Sequence, residues 1–342
     1  MERLRNGATV KAEILRRVET KNLTILGEVV PLEAPFVLLV DPSNLCNFQC
    51  KFCPSGNHDL IRKTGRYQGN LDFSLFKKII DELKEFSKPI KVLRLYKEGE
   101  PLINPHFADM VKYAKESSRI LRIDTTTNGA LLKPRLNRQI IDAGLDQINI
   151  SVNGVSAEQI YKFTKTRLNF EQYCDNIRDL YENKGNCEIY IKSIKENLSP
   201  DEQTKFFDIF GNISDRIFLE SLSPAWPEFE FDGIKMNFDS GHYGQPITQR
   251  QVCPFIFYIM VINSDGKASL CVGDWKHQLI YGDTRKQSVK DIWLGDVVNS
   301  TRIAHLENRR SENSFCGACQ VISHGTLENI DAFAPEIRKR FK

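Results

Sequence analysis

APFVLLVDPSNLCNFQCKFCP, residues 34–54, joins a run of apolar residues to three closely spaced cysteines. The segment APFVLLVD (34–41) predicts a buried strand, and the cysteines follow it at once. Cys46, Cys50 and Cys53 have the spacing C-x3-C-x2-C. Thiolates bind iron–sulfur clusters, zinc or copper, and a closed zinc site needs four ligands, usually supplied as two pairs. Three cysteines with no second pair nearby favour a cluster that keeps one iron open.

Short strands and amphipathic helices alternate after this first strand. Strands are predicted at 34–41, 90–96, 120–127, 145–152, 187–194 and 215–221, and helices at 73–86, 104–118, 134–144, 157–183 and 199–210. Six strands separated by helices indicate parallel βαβ units. We therefore predict an α/β fold, a partial (β/α)6 TIM-like barrel, with its chemistry at the carboxyl ends of the strands.

The chain divides into four predicted parts. These are an N-terminal extension (1–34), the barrel (35–222), a linker rich in Pro, Gly and aromatic residues (223–250), and a small α+β domain with a C-terminal tail (251–342). In the last part, FYIMVINSDGKASLCV (257–272) predicts a β-hairpin around an Asp-Gly turn, and residues 288–310 predict a helix.

The composition is that of an ordinary globular chain. Of its 342 residues 41% are hydrophobic, and the net charge of +3 gives no indication of nucleic acid or an anionic membrane as a partner. The longest apolar run, FIFYIMVI (255–262), is too short to cross a bilayer. The polar N-terminus lacks the apolar stretch of a signal peptide, so we expect a cytoplasmic protein. Its nine cysteines are then expected to be ligands or free thiols rather than disulfides.

The cysteine loop and the segments after the next three strands resemble the radical S-adenosylmethionine (SAM) superfamily. Phe52 precedes the last cysteine of the loop, and the motifs KEGEP, TTTNG and ISVNG follow the second, third and fourth strands. The resemblance implies a 4Fe–4S cluster on Cys46, Cys50 and Cys53, with SAM on the open iron. It also implies reductive cleavage of SAM to a 5′-deoxyadenosyl radical that takes a hydrogen atom from the substrate.

The resemblance extends to the residues that contact SAM. Gly99, Glu100 and Pro101 match the family's Gly-Gly-Glu segment, which binds the methionine amino group, while Glu98 stands in place of the first glycine. For the methionine carboxylate the chain offers Lys165 or Arg167. The other implied contacts are Phe52, the SAM-lining Thr127 and Asn128, and Ser151 and Asn153 at positions that usually bind the ribose hydroxyls.

A second set of four cysteines lies near the C-terminus. Cys253 and Cys271 flank the predicted hairpin, and Cys316 and Cys319 form a C-x2-C pair. This arrangement resembles the SPASM/twitch extension of radical SAM enzymes, although no cysteine follows Cys319, where a full SPASM domain has more. The resemblance implies a second, auxiliary 4Fe–4S cluster with four cysteine ligands. A structural zinc ion and free thiols are the alternatives, because a hairpin with C-x2-C also describes a zinc ribbon.

The two implied clusters suggest a reaction class. A closed cluster can accept an electron from a substrate radical, so we expect the dehydrogenation of a sugar, nucleotide sugar or cyclitol, with an external one-electron donor such as flavodoxin or ferredoxin. Such a reaction needs a base. The candidates near the carboxyl ends of the fifth and sixth strands are Lys192, Lys195 and Glu220, followed by Glu196 and, in the linker, His242 and Tyr243.

Other reactions remain open. Epimerisation needs a hydrogen donor, but Cys174 is predicted to pack inside a helix and Cys187 to lie at the end of the barrel away from the chemistry. Modification of a ribosomally made peptide, dehydration, and a binding protein with no catalysis are the further alternatives.

Overall fold

The computed structural model describes residues 2–3, 9–17, 24–230 and 236–341. Its strands are β1 (Glu2–Arg3), β2 (Thr9–Val10), β3 (Glu13–Ile14), β4 (Val37–Val40), β5 (Ile90–Leu95), β6 (Ile120–Thr127), β7 (Gln147–Ser151), β8 (Glu188–Ile194), β9 (Arg216–Glu220), β10 (Ile259–Ile262), β11 (Lys267–Ser269) and β12 (Ile280–Asp283). Its helices are α1 (Leu26–Val29), α2 (His58–Thr64), α3 (Phe73–Glu82), α4 (Phe107–Glu116), α5 (Pro134–Asp142), α6 (Ala157–Thr164), α7 (Phe170–Glu182), α8 (Pro200–Phe210), α9 (Phe255–Tyr258), α10 (Val289–Leu294), α11 (Asp296–Leu306), α12 (Ser314–Ala318), α13 (Val321–His324) and α14 (Ala334–Arg340).

The six predicted strands form the centre of one parallel sheet. Neighbours in the order β4-β5-β6-β7-β8-β9 pair in parallel, and one or two helices separate each strand from the next. The predicted mixed α/β architecture is therefore confirmed. Because the strands are parallel, their carboxyl ends lie at one edge, and the first cysteine loop and the segments after β5, β6 and β7 leave from there.

Two of the predicted helices are each divided in two. The stretch 157–183 forms α6 and α7, because Lys165 ends α6 in the left-handed conformation (φ 57°) and the Asn169 side chain caps α7 by accepting from the Gln172 amide at 3.0 Å. The stretch 288–310 forms α10 and α11, which meet at the extended Gly295.

The hairpin near the C-terminus joins the barrel sheet instead of forming a sheet of its own. β10 pairs in parallel with β4, from Ile259 opposite Val37 to Ile262 opposite Val40, and β11 and β12 continue the sheet in antiparallel order. At the other edge β3 pairs in parallel with β9. Eight parallel strands thus enclose the barrel interior, and the predicted domain boundaries at residues 34, 222 and 250 stay predictions.

The hydrophobic core lies between the sheet and the helices that cover it. Leu38 and Val40 of β4 and Phe76 and Ile79 of α3 are completely buried in one cluster. Burying each such side chain stabilises the fold by about 1.5–3 kcal/mol. The helices of the described part of the chain are all too short or too polar to cross a membrane.

The linker and the N-terminal segment both contact residues of the barrel strands or directly after them. The described linker residues, 223–230 and 236–250, contain no helix or strand, and the Ser221 amide donates to the His242 carbonyl at 2.9 Å. From the N-terminal segment, the Arg17 guanidinium donates to both carboxylate oxygens of Asp124 at 3.2 Å and to the Tyr96 hydroxyl at 2.6 Å.

Candidate functional site

The first cysteine loop, residues 42–57, follows β4 and lies against the end of α6. The amides of Gln49 and Lys51 donate to the carbonyls of Thr164 and Phe163 at 2.8 and 3.0 Å. The last carbonyls of a helix have no partner within the helix, so these bonds satisfy them and fix the loop. Within the loop, the Cys53 amide donates to the Cys50 carbonyl at 3.2 Å.

The three thiols of this loop occupy a poorly solvated site. Cys46, Cys50 and Cys53 are half-buried. Burial raises the pKa of Cys46 to about 12 and that of Cys50 well above its usual value, and the charges of the neighbouring thiols add to the effect at Cys50. Such thiols become thiolates only when a cationic group binds them. The donor set therefore fits a metal cluster.

The segment Lys97–Glu100 crosses directly under the first cysteine loop. A Cβ atom on Gly99 would clash with the carbonyl oxygens of Ser43 and Leu45, so a glycine is required for the close approach. The next amide, that of Glu100, donates to the Leu45 carbonyl at 2.8 Å. Pro101 begins a short 3-10 helix (Pro101–Ile103) and is buried. The segment is thereby held against the loop that carries the cysteines.

The Glu100 carboxylate is buried and has no cationic partner in the described part of the chain. It accepts hydrogen bonds from the Thr127 hydroxyl and the Asn128 amide, each at 2.7 Å, and from the Leu102 amide at 3.1 Å. Burial raises the pKa of Glu100 to about 7. A buried carboxylate held only by neutral donors fits a ligand ammonium group, as the predicted contact with SAM requires.

Polar side chains after β6 and β7 connect to the same loop. The Asn128 side-chain amide donates to the Asn47 side-chain oxygen at 2.7 Å, and that of Asn153 lies 4.0 Å from the Cys50 sulfur. Ser151 is half-buried at the end of β7. The structure thus brings Thr127, Asn128 and Asn153 together around the cysteines, with Thr127 and Asn128 holding Glu100.

Of the two candidates for the methionine carboxylate, Lys165 lies nearer to the cysteines. It lines a cleft of about 450 Å³ together with Cys50 and Cys53. Arg167 instead lies over the ring of Tyr161, 5.2 Å from the ring centroid. Phe52 is half-buried in the cysteine loop.

The second cysteine group, Cys253, Cys271, Cys316 and Cys319, is assembled from three separate segments. Cys253 precedes α9, Cys271 follows β11, and Cys316 and Cys319 lie in and just after α12. Burial raises the pKa of Cys253 to about 12, and the charges of Cys319 and Cys316 add to it, as they do at Cys271. In the described part of the chain no three His, Cys, Asp or Glu side chains converge on the position of a single metal ion.

Two family models match the two cysteine-bearing regions. Residues 40–203 match the radical SAM superfamily, and residues 253–320 match SPASM, described as an iron–sulfur cluster-binding domain. The chain carries a radical SAM domain followed by a SPASM domain. Its radical SAM domain binds SAM and a 4Fe–4S cluster, and its SPASM domain is an auxiliary iron–sulfur cluster domain, which confirms the predicted cofactors and replaces the zinc alternative.

Curated relatives share the sequence over different lengths. A tungsten-containing aldehyde ferredoxin oxidoreductase cofactor-modifying protein from Pyrococcus furiosus is 24% identical over 76% of this chain and 81% of its own length. An AdoMet-dependent heme synthase from Methanosarcina barkeri is 28% identical, but over 52% of this chain and 47% of its own length. The second match spans about half of that relative.

Solved structures share the fold. BtrN in complex with AdoMet and 2-DOIA is 18% identical, with a TM-score of 0.55, over 86% of this chain and 96% of BtrN. Streptococcus suis SuiB bound to its precursor peptide is 15% identical, with a TM-score of 0.61, over 81% of this chain and 69% of SuiB. At these identities the likeness concerns the fold alone.

A cavity of about 620 Å³ occupies the barrel interior of this radical SAM protein. Side chains of several regions line it, including Arg94 and Tyr96 from β5 and the residue after it, His242 and Tyr243 from the linker, and Val272 directly after Cys271. Its volume lies in the usual range for small-molecule sites. The cavity therefore connects the barrel and the linker with the loop that carries an auxiliary-cluster cysteine.

The candidate bases Lys192 and Glu220 meet next to this cavity. The Lys192 ammonium donates to Glu220 Oε2 at 2.6 Å, and His242 Nε2 lies 3.0 Å from the same oxygen. The two cations hold the pKa of Glu220 well below its usual range despite its burial. The other carboxylate oxygen, Oε1, is buried and has no hydrogen-bond partner among the described residues.

The remaining candidates lie apart from this group or around its rim. Lys195 is exposed beyond the end of β8, and the Glu196 carboxylate accepts from the Leu222 amide at 2.8 Å. Tyr243 is half-buried beside His242, with ring centroids 4.9 Å apart. Cys174 and Cys187 are buried, in α7 and directly before β8. Both cysteines lie where the sequence places them, and that neither is a hydrogen donor stays a prediction.

Two residues, His242 and Glu98, have a larger role in the structure than the sequence indicates. The linker that carries His242 has no periodic pattern from which its position could be predicted, yet it places His242 Nε2 3.0 Å from Glu220 Oε2. Glu98 was noted only as a departure from the family motif. It is buried and ion-paired to three other side chains. The sequence signal for this role is the replacement of the first glycine of the Gly-Gly-Glu segment by a charged residue.

Proposed function

We propose that this protein dehydrogenates a small hydroxylated substrate, such as a sugar, nucleotide sugar or cyclitol. The cofactors, when bound, supply a 5′-deoxyadenosyl radical that takes the carbinol hydrogen atom and an auxiliary cluster that accepts one electron. The substrate hydroxyl releases the remaining proton to the protein. An alcohol thus becomes a ketone, with the hydrogen atom on 5′-deoxyadenosine, the electron on the auxiliary cluster and the proton on a side chain.

The observation that carries this proposal is the shared cavity of about 620 Å³. His242 lines it on one side, and Val272 and Gly273, which follow Cys271, line it on another. Lys97, the first residue of the segment that ends in Glu100, also lines it. A substrate in this cavity would face His242, which lies 3.0 Å from Glu220, together with Lys97 and the auxiliary-cluster loop.

Glu220 is the proposed proton acceptor, through its unpartnered Oε1. His242 has an acceptor at each ring nitrogen, the Ser221 carbonyl at 3.1 Å and Glu220 Oε2 at 3.0 Å, so the doubly protonated ring satisfies both. His242 and Lys192 then act as fixed positive charges on Oε2. The hydroxyl group of a carbinol radical is more acidic than that of the alcohol, so its deprotonation demands a weaker base than deprotonation of the alcohol would.

Epimerisation receives less support from the positions of the free thiols. Cys187 lies at the amino end of β8, whereas the cavity group Lys192–Glu220 lies at the carboxyl ends of β8 and β9. Cys174 lies in α7 on the outer layer of helices. Both therefore lie away from the place where a hydrogen donor would be needed.

The direct test uses carbinol-deuterated substrates. The full chain with both clusters is incubated with SAM, dithionite and a panel of deuterated aminocyclitols, sugars and nucleotide sugars. We expect deuterium in 5′-deoxyadenosine and a product that has lost one deuterium and one hydrogen atom from the substrate. A product of unchanged hydrogen count would indicate an epimerase and overturn the proposal. Reaction of a precursor peptide in place of these compounds would assign the protein to peptide modification.

A further inference from the structure

A buried ion-pair group surrounds Glu98, the residue that departs from the family's Gly-Gly-Glu segment. The Glu98 side chain is 1% exposed, and so is that of Lys97, while that of Arg66 is fully buried and that of His277 is 7% exposed. We propose that Glu98 is a positioning residue that locks the auxiliary-cluster loop, residues 271–277, onto the SAM-binding segment. The proposal does not depend on the identity of the substrate.

Arg66 connects this group to the first cysteine loop and to the auxiliary-cluster loop. Its Nη1 atom donates to Glu98 Oε2 at 2.5 Å and to the Trp275 carbonyl at 2.6 Å. Its Nη2 atom donates to the Ser55 hydroxyl at 3.3 Å, two residues beyond Cys53. One guanidinium therefore ties together three segments that lie far apart in the sequence.

Lys97 and His277 add two more ties to the auxiliary-cluster loop. The Lys97 ammonium pairs with Glu98 and donates to the Asn263 side chain at 2.8 Å and to the Asp274 carbonyl at 3.1 Å. His277 Nε2 lies 3.1 Å from Glu98 Oε2. The carbonyls of two successive loop residues, Asp274 and Trp275, are thus bound by cations that Glu98 holds in place.

The loop itself is stiff enough to transmit this attachment to its cysteine. The Asp274 carboxylate accepts from the Ser269 hydroxyl and from the amides of Gln278 and Leu279, at 2.9 and 2.8 Å. The Gly273 amide lies 3.3 Å from the Cys271 sulfur. Buried charges keep a defined geometry because each has lost its solvation, and moving away from its partner would leave that loss uncompensated.

The same four-residue segment therefore holds both cysteine loops. Lys97 and Glu98 bind the auxiliary-cluster loop, and Gly99 and Glu100 fit against the first cysteine loop. Glycine at position 98 would offer no side chain for this attachment. Loss of the Glu98 carboxylate would release residues 271–277 and change the spacing of the two clusters.

The test compares Glu98→Gln with a matched control in the full chain carrying both clusters. Glu228→Gln is the control, because Glu228 pairs at 2.5 Å with Lys276 of the same loop but at the protein surface. Two quantities are measured: amide deuterium uptake of residues 271–279, and the dipolar effect of each reduced cluster on the electron spin relaxation of the other. Neither measurement needs a substrate or turnover.

We expect E98Q to speed deuterium uptake of residues 271–279 about tenfold or more and to weaken the dipolar effect. Deuterium uptake in β6–β8 should stay as in the wild type. The control E228Q should match the wild type in both measurements. Glu98→Asp should restore part of the protection of residues 271–279. Wild-type uptake and dipolar coupling in E98Q would overturn the proposal. Faster uptake throughout the sheet would assign Glu98 to general stability and overturn it too.

The wild-type protein provides a second test if E98Q does not fold with both clusters. In the wild type, the amides of residues 274–279 must then exchange as slowly as those of the central strands. Exchange as fast as that of linker residues 223–230 would contradict the proposed attachment. The double variant K97M/E98Q removes one charge of each sign. It should fold and still lose the protection of residues 271–279.

Discussion

His242 Nε2 and Lys192 Nζ both lie against Oε2 of Glu220, at 3.0 and 2.6 Å. One carboxylate oxygen, Oε2, thus pairs with both groups, and the other, Oε1, has no hydrogen-bond partner among the described residues. The arrangement joins β8, β9 and the linker at the carboxyl edge of the sheet.

Replacing Glu220 with Gln removes the proton acceptor but keeps the shape of the side chain. Product formation should fall by about 10²–10⁴-fold, the usual contribution of a general base. Formation of 5′-deoxyadenosine from SAM and dithionite without substrate should continue, because Glu220 does not contact the SAM segment. Liquid chromatography of both products measures the two rates in one reaction. Equal loss of both rates would count against a role in proton removal.

The same variant has a stability consequence with a defined pH dependence. The folded-state pKa of Glu220 is lowered by Lys192 and His242, so its ionisation stabilises the protein above the unfolded-state pKa of about 4.3. E220Q should lose about 3 kcal/mol of unfolding free energy at pH 7. This difference should shrink as the pH falls through the lowered folded-state pKa. Urea unfolding at several pH values measures it, and a pH-independent difference would contradict the assignment.

Glu100 should control SAM affinity and its pH dependence. Burial raises the pKa of Glu100 to about 7, and the SAM ammonium group requires the ionised form. SAM affinity should therefore fall as the pH decreases below about 7, and Glu100→Gln should bind SAM about 100-fold more weakly with a flat profile. Titration calorimetry on the cluster-loaded protein measures this. The exposed variant E228Q should bind like the wild type.

Removing auxiliary cysteines should separate SAM cleavage from product formation. The double variant C271A/C316A should carry about four irons per chain instead of about eight. It should still form 5′-deoxyadenosine but yield no oxidised product, whereas C50A should form neither. Iron analysis and product assays decide this, and full product formation by C271A/C316A would remove the auxiliary cluster from the reaction.

Arg17 should stabilise the fold without taking part in catalysis. Its guanidinium contacts Asp124 through both carboxylate oxygens at 3.2 Å, and both side chains are largely buried. Arg17→Met should lower the free energy of unfolding by about 3 kcal/mol, because Asp124 loses a buried partner. Arg178→Met, which breaks an exposed ion pair with Asp175, should change it by about 0.5 kcal/mol or less. Equal effects of the two substitutions would be unexpected.

The strands and the cysteine loops could be predicted because their signals are local. Each of the six strands carries its own apolar run, and Cys46, Cys50 and Cys53 lie within one loop. The parallel pairing of β10 with β4 could not be predicted in this way. It joins residues more than 200 positions apart, and hydrophobic periodicity contains no information about which strands are neighbours.

The parts of the candidate site that belong to sequence motifs could be predicted. The contribution of the linker could not. Glu100 is held by Thr127 and Asn128 in the region that the motifs indicated. His242 reaches Glu220 only because residues 236–250 cross the end of the barrel. The role of Glu98 could not be predicted for another reason. Two of its three partners, Arg66 and His277, lie far from it in the sequence, and only Lys97 is its neighbour.

The most direct test of the central claim follows a single deuterium atom. The wild-type protein with both clusters is given SAM, dithionite and a carbinol-deuterated cyclitol or sugar that it converts, and 5′-deoxyadenosine and product are analysed by mass spectrometry. The account predicts one deuterium in 5′-deoxyadenosine and a ketone in equal amount. Complete absence of SAM cleavage, or a product that retains all its hydrogen atoms, would contradict it.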